Sequence, residues 1–148
     1  LEPGRMIAGN AGVMLASVEY VKERDGKTFV ILDSGMNDLM RPALYAAHHD
    51  ILPLSEPAPT DPRNYVDVVG PVCETTDRFA KGREMPPLNE GDKLAFMSAG
   101  AYGAVLSSQY NARPLAAEVL VNGDTYAVIR PRPSYEDIIG LERQPDWI

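Results

Sequence analysis

Apolar residues fall into short runs separated by turn-forming residues, and the period within those runs changes along the chain. Residues 6–15 carry apolar side chains at helical spacing, interrupted by Gly9 and Gly12, and predict a short helix after the Pro3-Gly4 turn. From Ser17 the period shifts toward β. Val18, Tyr20 and Val21 lead into Arg24-Asp25-Gly26-Lys27, and Thr28–Leu32 follows. Asp-Gly between two β-prone runs predicts a hairpin. Asn122-Gly123, between Ala117–Val121 and Thr125–Ile129, predicts a second one. Further strands are predicted at 50–54, 65–70, 93–98 and 104–108, the last two flanking a bend or bulge at Gly100–Gly103. Pro57, Pro59 and Pro62 make residues 55–63 a loop. Pro42 suits the first turn of a short helix reaching about Ala47. Ser134, with Asp137 three residues on, predicts a capped helix over 135–141. The expected fold is mainly β: an antiparallel barrel or sandwich, Greek-key-like, with a helix at each end.

Composition narrows the function classes. The 148 residues suit one domain with its own core, or one large piece of a longer protein. A net charge of −7 argues against a nucleic-acid surface, which needs clustered Lys and Arg. No apolar run reaches the roughly 18–20 residues of a membrane span. A single cysteine excludes an intrachain disulfide and a Cys-rich zinc site, and no other metal-ligand spacing appears. No secretory signal opens the chain, which is expected to be cytoplasmic. Its first residues, Leu1-Glu2-Pro3-Gly4-Arg5, read like the middle of something longer.

Five groups could carry chemistry, and each also has an ordinary structural reading. Glu2-Pro3-Gly4-Arg5 places a glycine turn and a cation ahead of a helix, an arrangement suited to phosphate or to a plain surface turn. Arg41 and Tyr45 stand four apart, so on a helix they share a face and could clamp a carboxylate; otherwise they are a solvated Arg beside a half-buried Tyr. Cys73-Glu74 follows an apolar run ending in Gly70-Pro71-Val72. A carboxylate beside a thiol favours the protonated form, which could donate a proton; the plainer reading is a buried cysteine. Tyr102, between small residues in Gly100-Ala101-Tyr102-Gly103, could meet a ligand or fill the core. His48-His49 reads as surface, with no neighbouring acid or thiol to complete a nucleophilic or metal arrangement.

Taken together, these groups resemble the C-terminal half of the diaminopimelate decarboxylase family, pyridoxal-phosphate enzymes of lysine biosynthesis. The resemblance runs over nearly the whole chain. It covers Glu2–Arg5 with Asn10–Val13, Leu32-Asp33 with Gly35–Leu39, Arg41–Tyr45 and Val68–Glu74. It continues through Ala99–Gly103, Ser107-Ser108, Tyr110-Asn111, Arg113-Pro114 and Glu118–Val121. Cys73-Glu74 fits this family better than ornithine decarboxylases, which carry Cys-Asp there. The looser alternatives are an ornithine- or arginine-type relative, or a free-standing β-barrel that binds an anionic ligand or another chain.

The resemblance implies two domains, with residues 1–13 ending an upstream (β/α)8 barrel and 14–148 forming a β-domain that completes the site. It implies pyridoxal 5'-phosphate as cofactor, its Schiff-base lysine outside this chain, because Lys22, Lys27, Lys81 and Lys93 lie in no matching motif. Glu2 is implied to face the pyridine nitrogen, and Arg5, with its turn at Pro3 and Gly4, to hold the cofactor phosphate, a substrate carboxylate, or both. Arg41 and Tyr45 are implied to grip the unreactive carboxylate of meso-diaminopimelate, with Glu74 on that end's ammonium. Cys73 is implied to be the acid that protonates the carbon after carbon dioxide leaves, acting in the partner subunit's site of a homodimer. Tyr102 is implied to touch cofactor and substrate in its own subunit. On this reading the chain alone is inactive.

Overall fold

The computed structural model describes Leu1 and residues 3–148. These divide into two compact units, Leu1–Ser107 and Ser108–Ile148. The first opens with a single helical turn, α1 (Gly4–Ala8), and a 3-10 turn over Gly9–Ala11. Six strands follow: β1 (Met14–Arg24), β2 (Lys27–Leu32), β3 (Ile51–Pro53), β4 (Asn64–Val69), β5 (Arg78–Met85) and β6 (Lys93–Phe96). A second short helix, α2 (Arg41–Tyr45), lies between β2 and β3.

The strands make one sheet in the order β3-β6-β1-β2-β4-β5. All neighbours are antiparallel except β2 and β4, which run parallel with Thr28 opposite Val66 and Ile31 opposite Val69. The sheet is therefore mixed, correcting the purely antiparallel expectation. Residues 33–63 are the reason. Tight turns allow only antiparallel return, whereas this long connection carries the chain back to the end where it started.

β1 belongs to both halves of the sheet. Its first residues, Met14–Ser17, pair with β6, and Val18–Arg24 pair with β2. The register slips between Val18 and Tyr20, a bulge that bends the strand at the changeover. Curling follows from that bend. Phe79 on the edge strand β5 meets Phe96 on β6 with ring centroids 4.7 Å apart. Arg83, also on β5, donates from Nη1 to the His49 carbonyl just before β3, at 3.1 Å. The sheet thus wraps around a core of Val18, Val30, Leu32, Leu39, Val68, Met85, Leu94 and Phe96. Alternate burial of Ala16 and Val18 on β1, and of Val66 and Val68 on β4, is the period of two that a one-sided strand requires.

The first hairpin forms as expected: Arg24 faces Lys27 across Asp25-Gly26, both with positive φ, the geometry that matches strand twist. Other elements shift. The helix over 6–15 contracts to α1 and its 3-10 turn because Gly9 and Gly12 disfavour helix, and β1 starts three residues earlier than Ser17. The predicted strand at 104–108 is instead a 3-10 turn over Ala104–Leu106. Strand β5 carries no apolar alternation, since Lys81, Arg83 and Glu84 interrupt it, and pattern reading misses it.

The second unit holds the hairpin β7 (Glu118–Asn122) with β8 (Thr125–Arg130) and helix α3 (Tyr135–Ile139). The two-residue loop is Gly123-Asp124, with φ of 57° at Gly123. Helix α3 has the anticipated cap: Ser134 accepts from the Asp137 amide while the Asp137 carboxylate accepts from the Ser134 amide.

One close approach fixes how the N-terminal segment meets the sheet. A Cβ on Gly12 would lie 2.7 Å from Gly100 Cα and 2.9 Å from its nitrogen. The backbone there is also tied, by Ala99 N–H to Gly12 O at 2.8 Å and Gly100 N–H to Gly9 O at 3.0 Å. Gly12→Ala should therefore destabilise the protein by about 1–3 kcal/mol, the usual cost of overpacking. Thermal unfolding checks this, with Gly26→Asn as a control where a side chain meets open space.

Candidate functional site

Helix α2 begins at Arg41 with Pro42 in its first turn, and ends where Ala46 turns left-handed with φ of 52°. That reversal brings the chain back past the helix start. Arg41, only 7% exposed, donates from Nη1 to His49 Nε2 at 3.2 Å. His49, 3% exposed, bonds through Nδ1 to the Met97 carbonyl at 2.8 Å. Because a carbonyl only accepts, Nδ1 carries the proton and Nε2 offers its lone pair to the guanidinium. Burial pushes the imidazole below its ordinary value, and the charges of Arg41, Arg5 and His48 act in the same direction against the Met97 bond. His49 is therefore a neutral acceptor at neutral pH. The surface reading of the histidine pair holds for His48, which is exposed and bonds Asp50 at 3.0 Å, and is overturned for His49. Spacing could not reveal this, since what buries His49 is the sheet edge curling past it.

Arg41 is thus not the solvated guanidinium of the plain reading. A buried cation costs several kcal/mol unless it is paired. Among the described residues no carboxylate lies within ion-pair distance of it; its side-chain partner is a neutral ring. Tyr45, four residues on, is exposed at the other end of the helix.

Cys73 and Glu74 sit on the loop between β4 and β5, and both are exposed. The buried-cysteine reading therefore fails. Glu74 accepts from the Thr75 hydroxyl at 3.1 Å and from the Thr76 amide at 3.4 Å, which holds its carboxyl below the ordinary range. The loop is shaped from beneath by Asp77, which is buried. Its Oδ2 accepts from the Val72 amide at 2.7 Å and its Oδ1 from the Met36 amide at 2.6 Å. Gly70 leaves the room it needs, since a Cβ there would overlap the carboxylate. One carboxylate thereby ties the Cys73 loop to the segment leading into α2. A hollow of about 390 Å³ lies along this junction, between Pro42 and Ala43 of α2, Thr75 and Thr76 of the loop, and Phe79 of β5.

The third group is Gly4, Arg5 and Tyr102. Gly4 and Arg5 are exposed in α1, and the Tyr102 hydroxyl stands 4.0 Å from where a Cβ on Gly4 would lie. Tyr102 is 50% exposed and holds a left-handed φ of 58°, a strained backbone for a bulky residue. The core reading of Tyr102 is thereby corrected. Ser98 secures this turn by donating to Asn10 Oδ1 at 2.7 Å. Glu2 lies outside the described residues.

The structure therefore sets His49 against Arg41, and connects the Cys73 loop to the segment leading into α2 through Asp77. No described hydrogen bond joins Cys73 to Arg41, Tyr45 or Tyr102. Sequence reading missed His49 and Asp77. Each is polar, sits outside any apolar period and gains its role only from partners distant in the chain.

Two outcomes follow. Asp77→Asn leaves one buried amide facing an NH2 group and should cost about 1–3 kcal/mol in urea unfolding. The unfolded chain protonates His49 near its ordinary value of about 6.5, whereas the folded protein does so only at lower pH. Stability should be fully present above that value and fall as pH drops below it. Unfolding measured over a pH series should show this acid loss, reduced in His49→Gln.

Residues 6–100 match the family model described as pyridoxal-dependent decarboxylase, C-terminal sheet domain. Diaminopimelate decarboxylase of Zymomonas mobilis is 49% identical over 147 residues, which is 99% of this chain and 34% of that protein. The Archaeoglobus fulgidus enzyme of the same name is 46% identical over 148 residues, covering all of this chain and 35% of the relative. The crystal structure of Helicobacter pylori diaminopimelate decarboxylase complexed with L-lysine superposes with a TM-score of 0.86 at 44% identity, over 95% of this chain and 34% of that one. The chain thus spans about a third of the length of the relatives it matches. With a matching sheet and a matching sequence, the chain belongs to the pyridoxal-dependent decarboxylase family.

Proposed function

We propose that this chain is the C-terminal part of a diaminopimelate decarboxylase, which converts meso-diaminopimelate to L-lysine and carbon dioxide. The observation that carries the proposal is Arg41: a buried guanidinium, without a carboxylate partner among the described residues, on a chain about half identical to proteins of that name. Such a charge suits an anionic ligand, and a carboxylate matches the guanidinium fork. Tyr45, on the same helix, adds a phenol donor. Glu74, kept ionised by its threonine neighbours, suits an ammonium group. Arg41 with Glu74 would recognise an amino-acid head at the unreactive end, and a substrate lacking that head leaves both charges unpaired.

Gly4, Arg5 and Tyr102 fit the phosphate end of pyridoxal phosphate. The unsubstituted Gly4 leaves space beneath the Tyr102 hydroxyl, and Arg5 supplies a cation beside it. Pro3 would shape that turn, and Glu2 would face the pyridine nitrogen. When bound, the cofactor supplies a ring that accepts the electron pair released as carbon dioxide leaves. Cys73 would hold the proton returned to the reacting carbon. Its exposure supports a role in a site completed by a second subunit, in a homodimer whose upstream barrel ends near residue 13 and carries the Schiff-base lysine.

The test uses the complete polypeptide that carries this chain, loaded with cofactor. Carbon dioxide and L-lysine should appear from meso-diaminopimelate in preference to ornithine or arginine; the reverse preference overturns the proposal. Cys73→Ala should lower kcat by about 10²-fold or more with the cofactor absorbance intact, the usual contribution of a positioned proton donor. Glu74→Gln should raise KM for diaminopimelate by roughly tenfold, leaving cofactor loading unchanged.

A further inference from the structure

Behind the groups proposed to face a substrate lies one buried ring with no role yet assigned: His49, held between the Met97 carbonyl and Arg41. The imidazole is held at both ends. Met97 accepts from it through the carbonyl, and donates its own amide to the Asp50 carbonyl at 2.8 Å. The His49 carbonyl accepts from Arg83 Nη1 of β5 at 3.1 Å, while Arg83 Nη2 lies 3.2 Å from His48 Nδ1. The histidine carbonyl is thus tied to the edge strand β5, and its ring to the residue that follows β6. Its ring has little freedom, and the direction of its Nε2 lone pair is fixed with it.

We infer that His49 is a positioning residue for Arg41, orienting the guanidinium toward a substrate carboxylate without consuming its charge. This rests on the proposed binding of that carboxylate by Arg41. A guanidinium carries five N–H donors, and the imidazole accepts from one nitrogen, Nη1. An aspartate or glutamate in the same place would also fix the side chain, but would neutralise it and compete with the substrate for the same fork. A neutral imidazole gives orientation and leaves the full positive charge for the ligand. Burial keeps the ring in that neutral form, as do the nearby cations Arg41 and Arg5 and the neighbouring His48.

The experiment uses the complete, cofactor-loaded polypeptide with meso-diaminopimelate as probe. His49→Leu should raise KM by roughly tenfold, the scale of one hydrogen bond to a charged group, with kcat within about threefold. His49→Gln, which offers an acceptor at similar reach, should recover most of that loss. His49→Glu should keep the fold and lose affinity, because it neutralises Arg41. In an Arg41→Ala background, His49→Leu should add nothing further to KM. Additive effects in that cycle, an unchanged KM in a folded His49→Leu, or equal KM for Gln and Glu variants would each overturn the inference. If His49→Leu fails to fold, the Gln and Glu comparison decides. Nitrogen-15 NMR of the imidazole gives a readout independent of turnover: a proton on Nδ1 is expected, and a proton on Nε2 overturns the inference. Failure of the unsubstituted protein to decarboxylate diaminopimelate, or an unchanged KM in Arg41→Ala, instead strikes the functional reading on which this rests.

Discussion

The curl of the six-stranded sheet is the constraint on which the rest of the first unit depends. A bulge in β1 lets one strand pair with β6 at its start and β2 along its remainder, and that bend brings the two sheet edges toward each other. Phe79 against Phe96 closes the core across the curl, and Arg83 reaches from β5 to the His49 carbonyl ahead of β3. Without that closure His49 would lie at an open edge, in water, and would not be held against Arg41. Burial of apolar surface, non-directional by itself, is here converted into the placement of one polar ring.

The same logic explains why the chemistry-bearing residues sit on connections and not on strands. The loop after β4 takes its shape from Asp77, whose two carboxylate oxygens gather amides from the loop and from the approach to α2. A buried carboxylate with several N–H donors is satisfied and rigid. It leaves Cys73 and Glu74 outside, exposed on a fixed base. Two kinds of polar group are separated here: Cys73 and Glu74 are exposed, while Asp77 beneath them and His49 beside Arg41 are buried and hydrogen-bonded.

How much of this was legible in the sequence varied with the range of the interaction involved. The Asp25-Gly26 hairpin, the Ser134–Asp137 cap and the Pro42 helix start are decided within four or five residues, and all three form as read. Strand β5 was not legible, because its edge position lets Lys81 and Glu84 face solvent and erases the alternation that marks a half-buried strand. The parallel pairing of β2 with β4 was equally hidden. No local signal tells whether a long connection returns antiparallel or crosses over.

For the candidate site, the sequence by itself determined the inventory: Arg41 with Tyr45, Cys73 beside Glu74, Tyr102 between glycines, and a glycine turn before Arg5. Residue type sets what a side chain can donate, accept or carry as charge, so these capacities follow without coordinates. Only the tertiary structure decided which of them are exposed, which are buried, and what holds each in place. His48 and His49 show the division most clearly. They are chemically identical neighbours, yet one is exposed beside Asp50 and the other is a buried, neutral acceptor for Arg41. Burial and partnership are properties of the packed chain, set by contacts between residues far apart in sequence, and no local pattern encodes them.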